Sequence, residues 1–365
     1  MRIGITCYPT YGGSGIVATE LGMELAMRGH QIHFISYAHP IRLDSGIEGV
    51  HYHEVDVANY PLFAYPPYCL ALAARMAEVA ERYQLDLLHV HYAIPHSISA
   101  LLAQQMLEST RRLPFVTTLH GTDITLVGAE PSYFDITRFS IERSTAATTV
   151  SGYLKQRTQE VFGVGNSIDV IHNFVNCDRY TPARRNSPGN RLVHISNFRP
   201  VKRPQDCIRI LAAVRKHTGA ELWMAGDGPE RGAVERLAHE LDVAKSVRFL
   251  GKQDHIERLL AQADVLLLPS EHEAFGLAAL EAMACGVPPV ATRVGGVHEL
   301  ITHEEDGYLE PMGDVEAQAA RVLGLLTDSA LRARMAEAAR MTALSRFSAE
   351  SIIPRYEELY ERVVN

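Results

Sequence analysis

The sequence predicts an α/β protein built as two Rossmann-like domains facing each other across a cleft. Three observations carry this. Short apolar runs, each followed by a loop and then a helically spaced segment, recur through residues 3–176 and again from residue 191 onward. Between the two series lies RYTPARRNSPGN (179–190), a polar stretch with Pro182, Pro188 and Gly189 that reads as a linker. Glycine-rich turns stand at strand-to-helix junctions in both halves, where parallel α/β sheets hold ligands. A length of 365 residues exceeds one ordinary core and suits two domains, placed at 1–178 and 179–344.

In the first half IGITC is the opening strand, and Tyr8–Gly15 is a loop with Gly12, Gly13 and Gly15. A helix over about Ile16–Arg28 stops at Gly29, and QIHFISY is the second strand. Gly13-x-Gly15-x-x-Ala18 matches a dinucleotide fingerprint. That fingerprint also needs an acidic residue at the end of the second strand, and here the strand ends Ser36-Tyr37-Ala38-His39. The glycines therefore read as permitting close approach of another ligand, with a plain tight turn as the alternative. Ala71–Ala80 is an Ala-rich, core-facing helix. DLLHVH is a strand, YAIPH a loop, and Ser97–Leu107 a helix. His89 and His91 share a strand face, so a metal is conceivable, but no third ligand has convincing spacing. PFVTTLHGTDIT ends its strand at His120-Gly121-Thr122-Asp123, a polar cluster at the ligand-facing end of a strand. AATTVSGYLKQR gives a strand and a helix capped near Ser151, and SIDVIHNFVN a last strand ending at Asn173–Asn176.

The second half runs RLVHIS, a helix near Pro204–His217, AELWMAG, a helix near Glu230–Leu241, VRFLG, a helix near His255–Ala263, and the apolar strand ADVLLLPS. PPVAT and a short helix near Val297–Ile301 follow the next helix, and Ala349–Val364 is a terminal helix. The most informative stretch is PSEHEAFGLAALEAMACG, Pro269–Gly286. Glu273 falls in a strand-to-helix loop and Glu281 on the helix. Ala274-Phe275-Gly276-Leu277 between them aims free N–H groups out of a helix start, which suits phosphate. Carboxylates repel phosphate but accept hydrogen bonds from sugar hydroxyls, so the loop has the layout of a nucleotide-sugar site. In SNFRPVKR, Asn197, Arg199 and Lys202 occupy another strand-end loop. An Arg/Lys pair there neutralises a diphosphate leaving group without a metal. Gly226 in MAGDGPE opens a third turn, read equally as a nucleotide approach or a plain turn, and Gly251-Lys252 could reach the base.

Composition narrows the classes. Hydrophobic residues make up 47% and charged residues 21%, as in soluble globular proteins. The net charge of −8 argues against nucleic acid as a partner. Five scattered cysteines without a C-x-x-C fit a reducing cytoplasm rather than a disulfide framework. The chain opens on a strand without a leader, and no window reaches a membrane span, so no membrane insertion is expected. No D-x-D pair stands where it would bind a metal–diphosphate complex. The expectation is a reaction without metal or cofactor.

Glu273-x7-Glu281, set in E-x-F-G-x-x-x-x-E-A-M-A-C-G, resembles the signature of the retaining GT-B glycosyltransferases of family 4. The resemblance implies that Glu273 contacts the donor sugar, Glu281 the ribose, and the loop amides the diphosphate. It implies phosphate-binding roles for Arg199 and Lys202 in N-F-R-P-x-K, and a place for His120 beside the donor sugar. It also implies that the last helix, within 345–365, crosses back to the first domain. CYPTYGGSGIVATELG, HVHYAIPHS, TTLHGTDIT and ISNFRPVKR, over about residues 3–310, together resemble one branch of the family. That branch moves N-acetylglucosamine from UDP-N-acetylglucosamine to the hydroxyl of L-malate, the first step of bacillithiol biosynthesis. Gly13 and Gly15 also count among the expected nucleotide-sugar contacts, and the acceptor would meet Ser14 with their amides, Tyr92, Thr118 and Asn176 in the first domain. Retention with both glutamates committed to hydroxyls implies front-face substitution, the leaving phosphate taking the acceptor's proton. The expected catalytic set is Glu273, His120, Arg199 and Lys202. The resemblance leaves room for a homodimer. Three alternatives stay open: another family 4 acceptor such as an inositol phosphate or lipid-linked sugar, a non-catalytic sugar-nucleotide sensor, and an NAD-dependent oxidoreductase.

Overall fold

A computed structural model describes residues 1–57, 61, 62, 65–165, 167–183 and 190–365. Two compact units emerge: Met1–His172 with Ile352–Asn365, and Asn173–Ser351. Pro188 and Gly189 of the predicted linker lie outside the described residues.

The first unit runs β1 (Arg2–Thr6), α1 (Gly13–Met27), β2 (Gln31–Ser36), β3 (Val50–Glu54), α2 (Tyr68–Tyr83), β4 (Leu87–His91), α3 (Ile98–Leu107), β5 (Phe115–Leu119), α4 (Thr122–Thr125), α5 (Pro131–Arg143), β6 (Ala146–Thr149), α6 (Gly152–Phe162) and β7 (Ile168–Val170). The strands form one parallel sheet in the order β3-β2-β1-β4-β5-β6-β7. β4 and β5 are buried at every position, as expected of central strands covered on both faces. On one side, Leu88, Val90 and Phe115 pack with Leu72 and Met76 of α2 and Leu101 of α3. α1 starts three residues before the sequence-predicted Ile16, so Gly13, Ser14 and Gly15 form its first turn. At the far end of this unit, Ser151 caps α6 by accepting from Leu154 N at 3.1 Å.

The second unit runs β8 (Arg191–Ile195), α7 (Pro204–Arg215), β9 (Glu221–Ala225), α8 (Arg231–Glu240), β10 (Val247–Gly251), α9 (Ile256–Leu260), β11 (Val265–Leu268), α10 (Leu277–Ala284), β12 (Pro289–Thr292), α11 (Val297–Leu300), β13 (Tyr308–Glu310), α12 (Val315–Thr327) and α13 (Ser329–Arg346). Its parallel sheet has the order β10-β9-β8-β11-β12-β13. Leu192, Leu222, Leu267 and Val290 from four strands share a core with Ile208, Leu211, Val234 and Val322 of α7, α8 and α12.

The last helix, α14 (Ala349–Val364), places its residues from Ile352 in the first unit. Tyr356 and Tyr360 are fully buried there. Glu357 pairs with Arg28 at 2.8 Å and His30 at 3.0 Å, Arg355 donates to Val170 O at 2.6 Å, and Arg362 pairs with Asp169. In both sheets the first strand has later neighbours on one side and its own successor on the other. The order reverses between β1 and β4 in one unit and between β8 and β11 in the other. Such switch points are where open α/β sheets bind ligands.

Candidate active site

At the switch point of the second unit, the loops after β8 and β11 are tied together by two bonds. Glu271 N donates to Val201 O at 2.8 Å, and Lys202 Nζ lies 2.6 Å from Glu273 Oε1. Ser270 Oγ also donates to Glu273 Oε1, at 2.8 Å. The two residues expected to serve diphosphate and sugar are thus ion-paired to each other. Arg199 stands exposed, with no side-chain partner among the described residues.

The β8 loop is anchored from below. Phe198 is fully buried at a φ of 37°, a strained value for a bulky residue, and its carbonyl accepts from Glu230 N at 2.9 Å. His194 Nδ1 donates to Leu267 O at 3.0 Å, and its Nε2 meets Ser196 Oγ at 2.8 Å, which accepts in turn from Phe198 N. Burial holds the His194 pKa down at about 4, partly offset by the bond to Leu267, so this anchor is neutral. Asn197 contributes a buried carboxamide oxygen without a protein partner among the described residues. Gly226 serves packing: a Cβ there would stand 1.8 Å from Ser196 O.

Around Glu273 the backbone is equally constrained. Gly276, the residue before α10, has φ 99°, which favours glycine. No side chain caps the helix start, whose first carbonyl-directed bonds run from Ala279 N and Leu280 N to Gly276 O. The Ala274–Leu277 turn therefore keeps the geometry of an anion-binding helix N-terminus. Phe275 is buried and meets Phe347 edge-on at 5.4 Å. The loop after β12 supports the glutamate: Gly296 N donates to Glu273 O at 3.0 Å, and a Cβ on Gly295 would stand 1.8 Å from that oxygen. Gly295 escaped the sequence reading, although its Gly-Gly pair after a strand was a usable signal. Glu281 lies on α10 as expected but is buried, accepting from Tyr180 O–H at 2.7 Å.

At the switch point of the first unit, the loops after β1, β4 and β5 meet. Tyr8 lies edge-on to Tyr92 at 5.2 Å and packs on His96 at 4.6 Å. Tyr92 has φ 97° and its hydroxyl bonds that of Thr122. Such a conformation costs on the order of 1–3 kcal/mol and persists where packing over-determines it. His120 stacks on Tyr92 at 5.9 Å, and its Nε2 lies 2.8 Å from His91 Nδ1. Asp123, fully buried, accepts from Gly121 N at 2.8 Å, His120 N at 3.1 Å and Ala93 N at 3.2 Å. It fixes the His120 turn to the loop after β4. Burial raises its pKa to about 6 against those three donors. Burial, then the charge of neighbouring His96, lowers His120 to about 3. Asp123, His91, His96 and Tyr8 were absent from the expected set.

Several expected residues land elsewhere. Gly15 is occupied with packing, since a Cβ would stand 2.4 Å from Tyr8 O. Ser14 sits half-buried beside Gly13 in an α1 start that no side chain caps, which keeps it available. Thr118 is a correction. It is fully buried, with its hydroxyl spent on His89 Nε2 at 2.7 Å and Thr148 Oγ1 at 2.6 Å, so it faces no acceptor. His89 completes that buried ladder with Tyr360 O–H at 2.7 Å. Asn176 is a second correction. It falls in the second unit, and its Oδ1 accepts from Asp178 N at 3.0 Å and Arg179 N at 2.9 Å as a turn residue.

Two switch-point sites on two parallel sheets, one with a glutamate–lysine pair at a helix start, define a GT-B glycosyltransferase. The family models agree: Glycosyltransferase Family 4 matches residues 11–179, and Glycosyl transferases group 1 matches residues 182–342. The chain belongs to this glycosyltransferase family. Within it, the chain is similar to N-acetyl-alpha-D-glucosaminyl L-malate synthase of Bacillus anthracis, with 47% identity covering 100% of this chain and 97% of the relative. Among solved structures, the fold is shared with sucrose-phosphate synthase of Thermosynechococcus elongatus, at a TM-score of 0.82 and 20% identity, covering 100% of this chain and 99% of the other. Anabaena HepE in complex with UDP and glucose gives a TM-score of 0.81 at 20% identity, with 99% of each chain covered. Among the described residues, no helix is long and apolar enough to cross a membrane.

Proposed function

We propose that the chain transfers N-acetylglucosamine from UDP-N-acetylglucosamine to the hydroxyl of L-malate. What carries the acceptor assignment is the full-length similarity to the malate synthase of Bacillus anthracis. What carries the donor assignment is the second-unit loop set. An unpartnered Arg199, a lysine held 2.6 Å from Glu273 and an uncapped helix start together suit a diphosphate beside a sugar. The UDP seen with HepE is consistent with that donor class.

The malate hydroxyl oxygen forms the new glycosidic bond as the anomeric carbon's bond to phosphate breaks. UDP departs with its charge neutralised by Arg199, Lys202 and the Ala274–Leu277 amides, and its phosphate oxygen takes the hydroxyl proton. Glu273 and Glu281 hold donor hydroxyls. The α1 start, with Ser14 and Gly13, receives a malate carboxylate, and Tyr92 lies beside it. The earlier expectation for Thr118 and Asn176 is dropped. In this reading the product enters bacillithiol biosynthesis. The test is an acceptor panel with UDP-N-acetylglucosamine, read by product mass. N-acetylglucosaminyl malate from L-malate alone supports the reading. Product only from an inositol phosphate or a lipid-linked sugar replaces the acceptor, and no product with any acceptor favours a sensor.

A further inference from the structure

We propose that His91 is a positioning residue that fixes His120 as the Nδ1–H tautomer, so that His120 presents a hydrogen-bond donor to the bound substrate. The inference deepens the functional reading above and rests on His120 belonging to the substrate site.

The two rings share one short contact, His91 Nδ1 to His120 Nε2 at 2.8 Å. One nitrogen must bring the proton and the other a lone pair. Both rings are neutral near pH 7, because burial drives His91 well below the ordinary imidazole range and His120 to about 3. Each therefore carries a single N–H, and the contact couples their tautomers.

The far side of His91 decides the direction. His91 is fully buried, and its Nε2 has no hydrogen-bond partner among the described residues. If His120 donated from Nε2, His91 would keep its proton on that orphaned Nε2. Buried donors without acceptors are the rarer kind of unsatisfied group. If His91 donates from Nδ1, only a bare lone pair is left in the interior. The second arrangement leaves His120 with its proton on Nδ1.

His96 cannot reverse this order. Its Nδ1 lies 2.6 Å from His91 O, and a carbonyl only accepts, so the His96 proton is already placed. The His120 ring meets His91 edge to edge, with centroids 5.1 Å apart, and lies near-parallel to Tyr92 at 5.9 Å. Its backbone N–H is tied to Asp123. Its Nδ1 has no protein partner among the described residues, and the residue keeps part of its surface exposed.

Two chemical consequences follow. The substrate atom facing His120 is an acceptor oxygen, of a hydroxyl or a phosphate. His120 does not serve as general base, because Nδ1 already carries a proton and Nε2 is occupied by His91.

The direct test is nitrogen-15 NMR of the full-length protein labelled in its histidine rings, near pH 7.5, with His120→Gln identifying the His120 signals. The expected result is a neutral ring protonated at Nδ1. A ring protonated at Nε2, or one averaging between tautomers, overturns the inference. This readout does not depend on which reaction the enzyme performs, so it fails or stands apart from the glycosyl-transfer reading. In His91→Phe, His120 should lose its Nδ1–H preference and kcat/KM should fall about tenfold, one hydrogen bond's worth. In His91→Asn the side-chain amide stands in for Nδ1–H and should restore both. If His91→Phe does not fold, the wild-type spectrum still decides. Retention of the Nδ1–H form in a folded His91→Phe overturns the role given to His91.

Discussion

At the residue scale, Lys202 and Glu273 hold each other at 2.6 Å although the chemistry asks them to hold different parts of one substrate. Their side chains keep about a quarter and a tenth of their surface exposed, so the pair is partly desolvated but open to exchange. A diphosphate offers Lys202 more negative charge than one carboxylate does, and the exchange frees Glu273 for a sugar hydroxyl. Two substitutions separate these roles. Lys202→Gln should weaken UDP binding by roughly 10–100-fold, the worth of a charge-assisted hydrogen bond. Glu273→Gln releases Lys202, so UDP affinity should hold or tighten while transfer falls by about 100-fold or more. Titration calorimetry with UDP reads the first quantity and product formation the second. A Glu273→Gln variant that loses UDP affinity would show that the pair does not exchange.

At the element scale, backbone contacts hold the loops after β8, β9, β11 and β12 in addition to the Lys202–Glu273 pair. The glycines differ in why they are needed. Gly295 has φ 55° and no room, with Glu273 O at 1.8 Å from a built Cβ. Gly276 has φ 99° but meets nothing closer than 3.6 Å. Gly295→Ala should therefore cost about 3 kcal/mol or more and displace Glu273, while Gly276→Ala should cost about 1–2 kcal/mol from conformation alone. Urea unfolding of the two variants checks the order; equal costs would contradict it.

The same elements show what the sequence made legible. Strands such as VLLLP and IGITC were readable because both faces are buried and the runs are uniformly apolar. The strand β3, VHYHE, was not, because one of its two buried positions is a histidine: His53 is buried and its Nε2 lies 2.8 Å from His33 Nδ1. Helices α12 and α13 also went unassigned, although Asp314 and Asp328 cap them by accepting from Ala317 N at 2.9 Å and Leu331 N at 2.9 Å. Glu273, Lys202 and the Gly276 turn were legible because each sits in a motif at a strand end. Asp123 was quoted within H-G-T-D, yet its organising role depends on three N–H groups converging from two loops, and spacing along the chain does not reveal that. Thr118 misled for a related reason: a strand-end hydroxyl looks available until the partner across the sheet, His89, is seen.

At the scale of the whole molecule, both sheets depend on buried neutral histidines. Burial lowers His33, His89 and His120 to about 3, and His53, His96 and His194 to about 4. A histidine lowered on folding binds its proton more readily when unfolded. Its contribution to stability is complete above the ordinary value near 6.5 and is lost as pH falls toward the folded value. Asp123, raised to about 6, and Asp306, also raised by burial, act with the opposite sign, but they are two groups against seven once the lowered His91 is included. The melting temperature should fall by more than about 5 °C between pH 7.5 and pH 5. An unchanged or higher value at pH 5 would show that these rings titrate as exposed histidines do.

The division of labour between the units rests on one assignment, that the second unit grips the nucleotide. Crystals soaked with UDP test it most directly. The account predicts the diphosphate on the amides of Ala274–Leu277, with Arg199 and Lys202 drawn onto it and Lys202 parted from Glu273. UDP bound instead to the first unit, against the Gly12–Gly15 start of α1, would contradict it.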